Sequence, residues 1–154
     1  MSLNEYIKSN FGLKPDVLTD VEVTLMPKEV REVALNETWK KRCYDNCFNL
    51  ASRFEATYVL GVFNMGLPVP HAWLKIDGQY VDPTVEIHTQ QTGTYHALVE
   101  VQADELIDYI SEIDDLTGKG CYPPMLSTVC RHPKHQDLFF KWYRELPWLT
   151  ELLG

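Results

Sequence analysis

The chain reads as a single α+β domain over residues 1–154. Three observations lead there. Helical spacing of apolar residues recurs toward both ends, and runs rich in β-branched and aromatic residues cluster between Thr57 and Val101. An Asp77-Gly78 pair marks a tight hairpin among them. Helices grouped at both ends of a mostly antiparallel sheet define that class.

The elements follow in order. Gly12, Pro15 and an alternating Val17 to Leu25 segment predict a short helix and then an edge strand. Pro27 suits a helix start, and Val30, Val33 and Ala34 share one side of Lys28 to Leu35. From Cys43 to Phe54 the residues Tyr44, Cys47, Phe48, Ala51 and Phe54 recur at helical spacing, an amphipathic helix with a buried stripe. Thr57 to Phe63 reads as a strand, ended by Asn64-Met65-Gly66-Leu67-Pro68. The hairpin from His71 comes next, then a polar loop from Thr84 to Gly93 and a strand from Tyr95 to Val101. Ala103 to Ile113 is a predicted helix with Leu106, Ile107, Ile110 and Ile113 facing in, and Gly118 to Pro124 breaks the order. Pro133 opens a last predicted helix whose apolar face is Leu138, Phe139, Trp142, Tyr143 and Leu146, with Pro147 as its stop.

Composition narrows the class of function. The chain is 45% hydrophobic and 12% aromatic, which is globular rather than disordered. A formal charge of −8 argues against a dedicated nucleic-acid binder, since each phosphate contact depends on Lys or Arg. No apolar run approaches the roughly 18 residues of a membrane span, and Met1-Ser2-Leu3-Asn4-Glu5 does not read as a signal peptide, so a cytoplasmic protein is expected. In that compartment the four cysteines are read as reduced thiols, free to be nucleophiles, ligands or packing.

The hairpin carries the chemistry. A two-residue turn at Asp77-Gly78 sets Ile76 opposite Gln79, Lys75 opposite Tyr80, Leu74 opposite Val81 and Trp73 opposite Asp82. Ala72, Leu74, Ile76 and Val81 then share a core face, while His71, Trp73, Lys75, Tyr80 and Asp82 share the other. His71 and Asp82 become diagonal neighbours at roughly 7 Å, close enough for their side chains to pair. Asp82 can then fix the imidazole tautomer so that the other nitrogen takes a thiol proton. The thiol favoured is Cys43, which follows Lys40-Lys41-Arg42 and opens a helix, a setting that promotes a thiolate. Cys47 sits inside the apolar stripe and suits packing, although the choice between the two stays open.

The residue order resembles that of the papain-like and transglutaminase-like thiol enzymes. More closely, Cys43-Tyr44-x-Asn46, Tyr58-Val59-x-Gly61, Pro70-His71-Ala72-Trp73, Asp77-Gly78 and Val81-Asp82-Pro83-Thr84 are similar to a group of small bacterial and phage proteins. The resemblance implies a nucleophile helix packed on an antiparallel sheet with flanking helices, Cys43 as nucleophile, His71 as general base and acid, and Asp82 as the orienting residue. It implies acyl transfer on a protein or peptide amide, by hydrolysis or by transfer, with no cofactor and no metal. An inert scaffold of the same fold that binds a protein partner is the alternative, because one fold hosts many functions. In papain-like peptidases a Gln six residues before the nucleophile donates to the oxyanion; here that position is Glu37, and Asn36 or Asn46 would have to stand in.

A second constellation, Cys130-Arg131-His132 with His135, Cys121 and the Cys43-x-x-x-Cys47 spacing, could in principle hold zinc. Paired Cys-x-x-Cys knuckles are missing, and His132-Pro133 fits a helix start better. His88, His96 and His135 are expected to be exposed. Trp142, Tyr143 and Trp148 are expected to be core or a docking face.

Overall fold

The computed structural model describes residues 2–145 and confirms the α+β class. Helix α1, Leu3–Phe11, starts where the Ser2 hydroxyl accepts the Glu5 N–H at 3.2 Å, and ends at Gly12 in the left-handed region with φ 61°. Gly12 has a second reason to lack a side chain, because a Cβ there would lie 2.2 Å from the Cβ of Tyr143. Helix α2, Lys28–Glu37, begins after Pro27 and buries Val30 and Ala34. Helix α3 runs over Cys43–Phe54, the span its periodicity predicts. Its deepest residues are Asn46, Cys47, Leu50 and Ala51, with Tyr44, Phe48 and Phe54 half-buried at the margins.

Six strands form one sheet: β1 (Thr19–Val21), β2 (Val23–Thr24), β3 (Thr57–Asn64), β4 (Pro68–Ile76), β5 (Gln79–Val81) and β6 (Thr94–Val101), in the order β1-β6-β3-β4-β5-β2. The predicted hairpin register is observed, with Leu74 opposite Val81, Lys75 opposite Tyr80 and Ile76 opposite Gln79. Its turn has positive φ at both Asp77 (50°) and Gly78 (80°), as a type I′ turn requires. The two outermost strands are neighbours in the chain, separated only by Glu22, yet β1 pairs with β6 and β2 with β5. The sheet therefore curls until one short extended segment, Thr19–Thr24, reaches both of its edges.

Curling gives the sheet two buried faces. On one, Ala72, Leu74, Ile76 and Val81 join the main core under α3 and helix α4 (Ala103–Thr117). On the other, Val59, Phe63, Trp73, Val85, Tyr95 and Ala97 form a smaller apolar cluster. The face expected to be polar thus holds a fully buried tryptophan. Gly61 makes room for it: a β-bulge falls between Leu60 and Gly61, and a Cβ at Gly61 would stand 2.1 Å from the His96 carbonyl oxygen and 2.7 Å from the Trp73 ring. Gly61→Ala is expected to cost about 3 kcal/mol, since backbone and a packed indole must both yield, and a shift in urea midpoint measures it.

The largest remaining difference from the sequence expectation comes from pairing between distant segments. A short helix α5 (Leu126–Val129) precedes Pro133, and in place of the continuous helix expected from there stand a 3₁₀ turn at Gln136–Leu138 and helix α6 (Lys141–Arg144). Phe139 forms an isolated bridge with Leu13, and the Lys14 N–H donates to the Leu138 carbonyl at 3.0 Å while the Phe140 N–H donates to that of Gly12 at 2.7 Å. Backbone committed to that bridge cannot also run as helix. Leu146, Pro147 and Trp148 lie outside the described residues. Ile107, expected inward on α4, is exposed, and Tyr109 takes the buried position. The loop from Thr84 contains a π-helical turn, Val85–Thr89. His96 is buried on β6, its Nδ1 2.6 Å from Asp20 Oδ1, and His88 is half-buried with Nε2 2.8 Å from the Thr38 hydroxyl.

Candidate active site

Cys43 is the first residue of α3 and is half-buried. The preceding Arg42 supplies no side-chain cap to the N–H groups of the first turn, whose partial positive charge lies at the end of the helix that Cys43 opens. His71 comes from β4, in register with Gly61 of β3, and Asp82 follows the last residue of β5. The three side chains meet. His71 Nε2 donates to Asp82 Oδ2 at 2.7 Å, and the Cys43 sulfur lies close enough to the ring to favour its charged form. His71 is 8% exposed and Asp82 2%, so the pair is shielded from bulk water.

Asp82 is held on both oxygens. Oδ1 accepts the Val85 N–H at 3.1 Å, which ties it to the π-helical turn, and Oδ2 also accepts the Tyr95 hydroxyl at 2.6 Å. Tyr95 was invisible to local reasoning. It faces Asp82 only because β6 lies beside β3 in the sheet, and its position on the strand showed only that it alternates with His96. Around the imidazole, Phe63 and Trp73 approach with ring centroids at 5.5 and 6.2 Å.

Electrostatics distinguish the two candidate thiols. Burial opposes charge on His71, but the Asp82 carboxylate and the Cys43 sulfur outweigh it, and the group is pushed up to about 10 from 6.5. At neutral pH it is therefore an imidazolium, a cation against the Cys43 sulfur. Cys47 lies one turn further on, fully buried; desolvation first, then the Asp82 and Cys43 charges, push its thiol well above the ordinary value. It stays a neutral packing group. Tyr95 is likewise raised, by desolvation and then by Asp82, and stays a hydrogen-bond donor.

None of the side chains expected to help an oxyanion is free to do so. Asn46, fully buried, accepts the Trp39 N–H at 3.0 Å and donates to the Trp39 carbonyl at 2.8 Å and to the Thr84 hydroxyl at 3.0 Å. It fastens the loop before Cys43 and the segment after Asp82 to the same turn of helix. Asn36 donates to the Glu32 carbonyl on its own helix at 3.1 Å. Glu37 pairs with Arg53 at 2.9 and 3.0 Å, near the far end of α3 from Cys43. What is left beside Cys43 for an oxyanion is backbone, the N–H groups that open α3. On the second face of the sheet a cavity of about 680 Å³, with Val23, Met26, Val85 and Gln90 in its walls, reaches Asp82 and Tyr95.

The second constellation is otherwise occupied. Cys130 donates to the Ser127 carbonyl at 3.2 Å. His132 stacks on Tyr109 at 4.3 Å, with Nε2 2.5 Å from Glu112 and Nδ1 accepting the Lys134 N–H at 3.1 Å. His135 Nδ1 lies 2.8 Å from the Tyr109 hydroxyl, and Cys121 is exposed with its thiol directed to Asp114 at 3.7 Å. Among the described residues no three His, Cys, Asp or Glu side chains gather as metal ligands. Tyr143 packs as core, stacked on Phe139 at 5.4 Å, whereas Trp142 is partly exposed.

No family model matches the chain, and neither a curated protein nor a solved structure matches it. Fold and site define it as an α+β protein with a Cys-His-Asp constellation at the amino end of a helix, braced by a tyrosine. Among the described residues no helix is long and apolar enough to cross a membrane.

Proposed function

We propose that the protein is a cysteine-dependent acyl-transfer enzyme of papain-like or transglutaminase-like type, acting on a protein or peptide amide. The observation that carries this reading is the His71 ring paired with Asp82 within electrostatic reach of the Cys43 sulfur, with its charged form favoured up to about pH 10. The Cys43 thiolate attacks the carbonyl carbon, and the carbonyl electron pair moves onto oxygen, where the first N–H groups of α3 receive it. Collapse expels the amine, which takes its proton from the His71 imidazolium. The neutral ring then removes a proton from water or a second amine, which attacks the thioester and returns the electron pair to sulfur. Asp82 keeps the ring oriented through both proton transfers.

Iodoacetamide labelling resolved by peptide mass spectrometry tests the assignment. At pH 6 Cys43 is expected to react about 10- to 100-fold faster than Cys121, because the His71 cation stands near its sulfur, whereas desolvation and then the Asp114 carboxylate push the Cys121 thiol up. Equal rates, unchanged by His71→Ala, would refute it. The alternative, an inert scaffold of the same fold that binds a protein partner, draws on the commitment of Asn46 and Glu37 to other partners. Amide turnover that disappears in Cys43→Ala excludes that alternative. Neither reading invokes nucleic acid, a membrane or a cofactor.

A further inference from the structure

The loop that leads into Cys43 carries three consecutive cations, Lys40, Lys41 and Arg42, in a chain whose formal charge is −8. Their neighbours in sequence do not neutralise all three. Glu37 is taken by Arg53 at 2.9 Å, and Asp45 pairs with Arg42 at 3.6 Å. Lys40 and Lys41 are exposed and pair with no carboxylate among the described residues, as is also true of Lys28, Lys119 and Lys134; what sets them apart is their place directly before the helix that Cys43 opens.

The loop is also held in place. Asn46 binds both the N–H and the carbonyl of Trp39, and Lys41 sits at φ 63°, a left-handed conformation that a side-chain-bearing residue rarely adopts. Lys41 and Lys40 precede Cys43 by two and three residues. Their side chains are long enough to bring the ammonium groups to roughly 10 Å from the sulfur, about one screening length at 0.1 M salt. A charge held there acts on whatever approaches the thiol.

We propose that Lys40 and Lys41 form an anion-reading subsite beside Cys43, and that the acyl donor is an acidic peptide with a carboxylate within a residue or two of the reacting carbonyl. This rests on Cys43 being the nucleophile. The two lysines attract the carboxylate and set it against the opening turn of α3, while the imidazolium of His71 remains engaged with Asp82.

Two reagents of similar size, anionic iodoacetate and neutral iodoacetamide, test this before any substrate is known. Both attack the same thiolate, so the ratio of their rates at Cys43 cancels any effect of the lysines on thiol ionisation. In K40Q/K41Q the iodoacetate-to-iodoacetamide ratio is expected to fall about threefold at 10 mM salt, the effect of two weakly screened charges at that distance. K40R/K41R should retain the wild-type ratio, and the difference should vanish at 1 M salt. A glutamate-containing hexapeptide at millimolar concentration should slow iodoacetamide labelling of Cys43 in the wild type but not in K40Q/K41Q. An unchanged ratio in K40Q/K41Q, a difference that persists at 1 M salt, or equal slowing by the glutamine counterpart of the peptide would overturn the proposal. Failure of the nucleophile assignment looks different, because it leaves the iodoacetamide rate itself insensitive to His71→Ala.

Discussion

Asp82→Ala is expected to destabilise the protein by about 3–5 kcal/mol, the cost of removing one partner from a buried ion pair. The carboxylate is 2% exposed and accepts from three groups, His71 Nε2, the Tyr95 hydroxyl and the Val85 N–H. Its loss leaves a buried imidazole without the charge that holds it protonated and a buried phenol without an acceptor. It also frees the turn that begins at Val85. Urea unfolding should show the midpoint falling with little change in slope. Asp82→Asn should cost less, because it can still accept from Tyr95 and Val85. If Asp82→Ala unfolds at the wild-type midpoint, the His71–Asp82 contact contributes nothing to the fold.

The second large effect concerns His71. His71→Ala is expected to lower amide turnover by about 10² to 10⁴, the usual contribution of a positioned general acid and base. In the wild type, the rate should fall as pH rises through about 10, when the ring can no longer give a proton to the leaving amine. Stability follows the same group. Its folded value lies above its unfolded value of 6.5, so its contribution is complete below 6.5, declines as pH rises and is gone above about 10. The stability gap between wild type and Asp82→Ala should narrow across that window. Turnover that is flat from pH 6.5 to beyond 10, or that survives His71→Ala, would separate the ring from the chemistry.

Features written in local sequence were legible and features made by distant pairing were not. Cys43–Phe54 could be read because five apolar residues repeat at helical spacing, and the β4–β5 register because Asp77-Gly78 admits one tight turn. Those two elements place Cys43, His71 and Asp82, so most of the candidate site was readable. Tyr95 was not, since nothing near it in sequence says that its strand will lie across the sheet from Asp82. Nor was the burial of His96, which depends on Asp20 arriving on β1. The expected helix from Pro133 failed for the same reason. Leu138, Phe139, Trp142 and Tyr143 do have helical spacing, but Leu13 claims Phe139 for a bridge.

The curled sheet limits how a peptide can be recognised. Many peptide-binding proteins capture their ligand as an extra strand, with backbone hydrogen bonds supplying affinity along an open ladder. Here the outermost strands are three and two residues long, Thr19–Val21 and Val23–Thr24, and belong to one continuous segment. Strands that short offer an incoming chain almost no ladder to extend. On the proposed function a peptide is therefore read by its side chains and its charge at the mouth of the site, and sequence preference should depend on those groups far more than on an extended backbone.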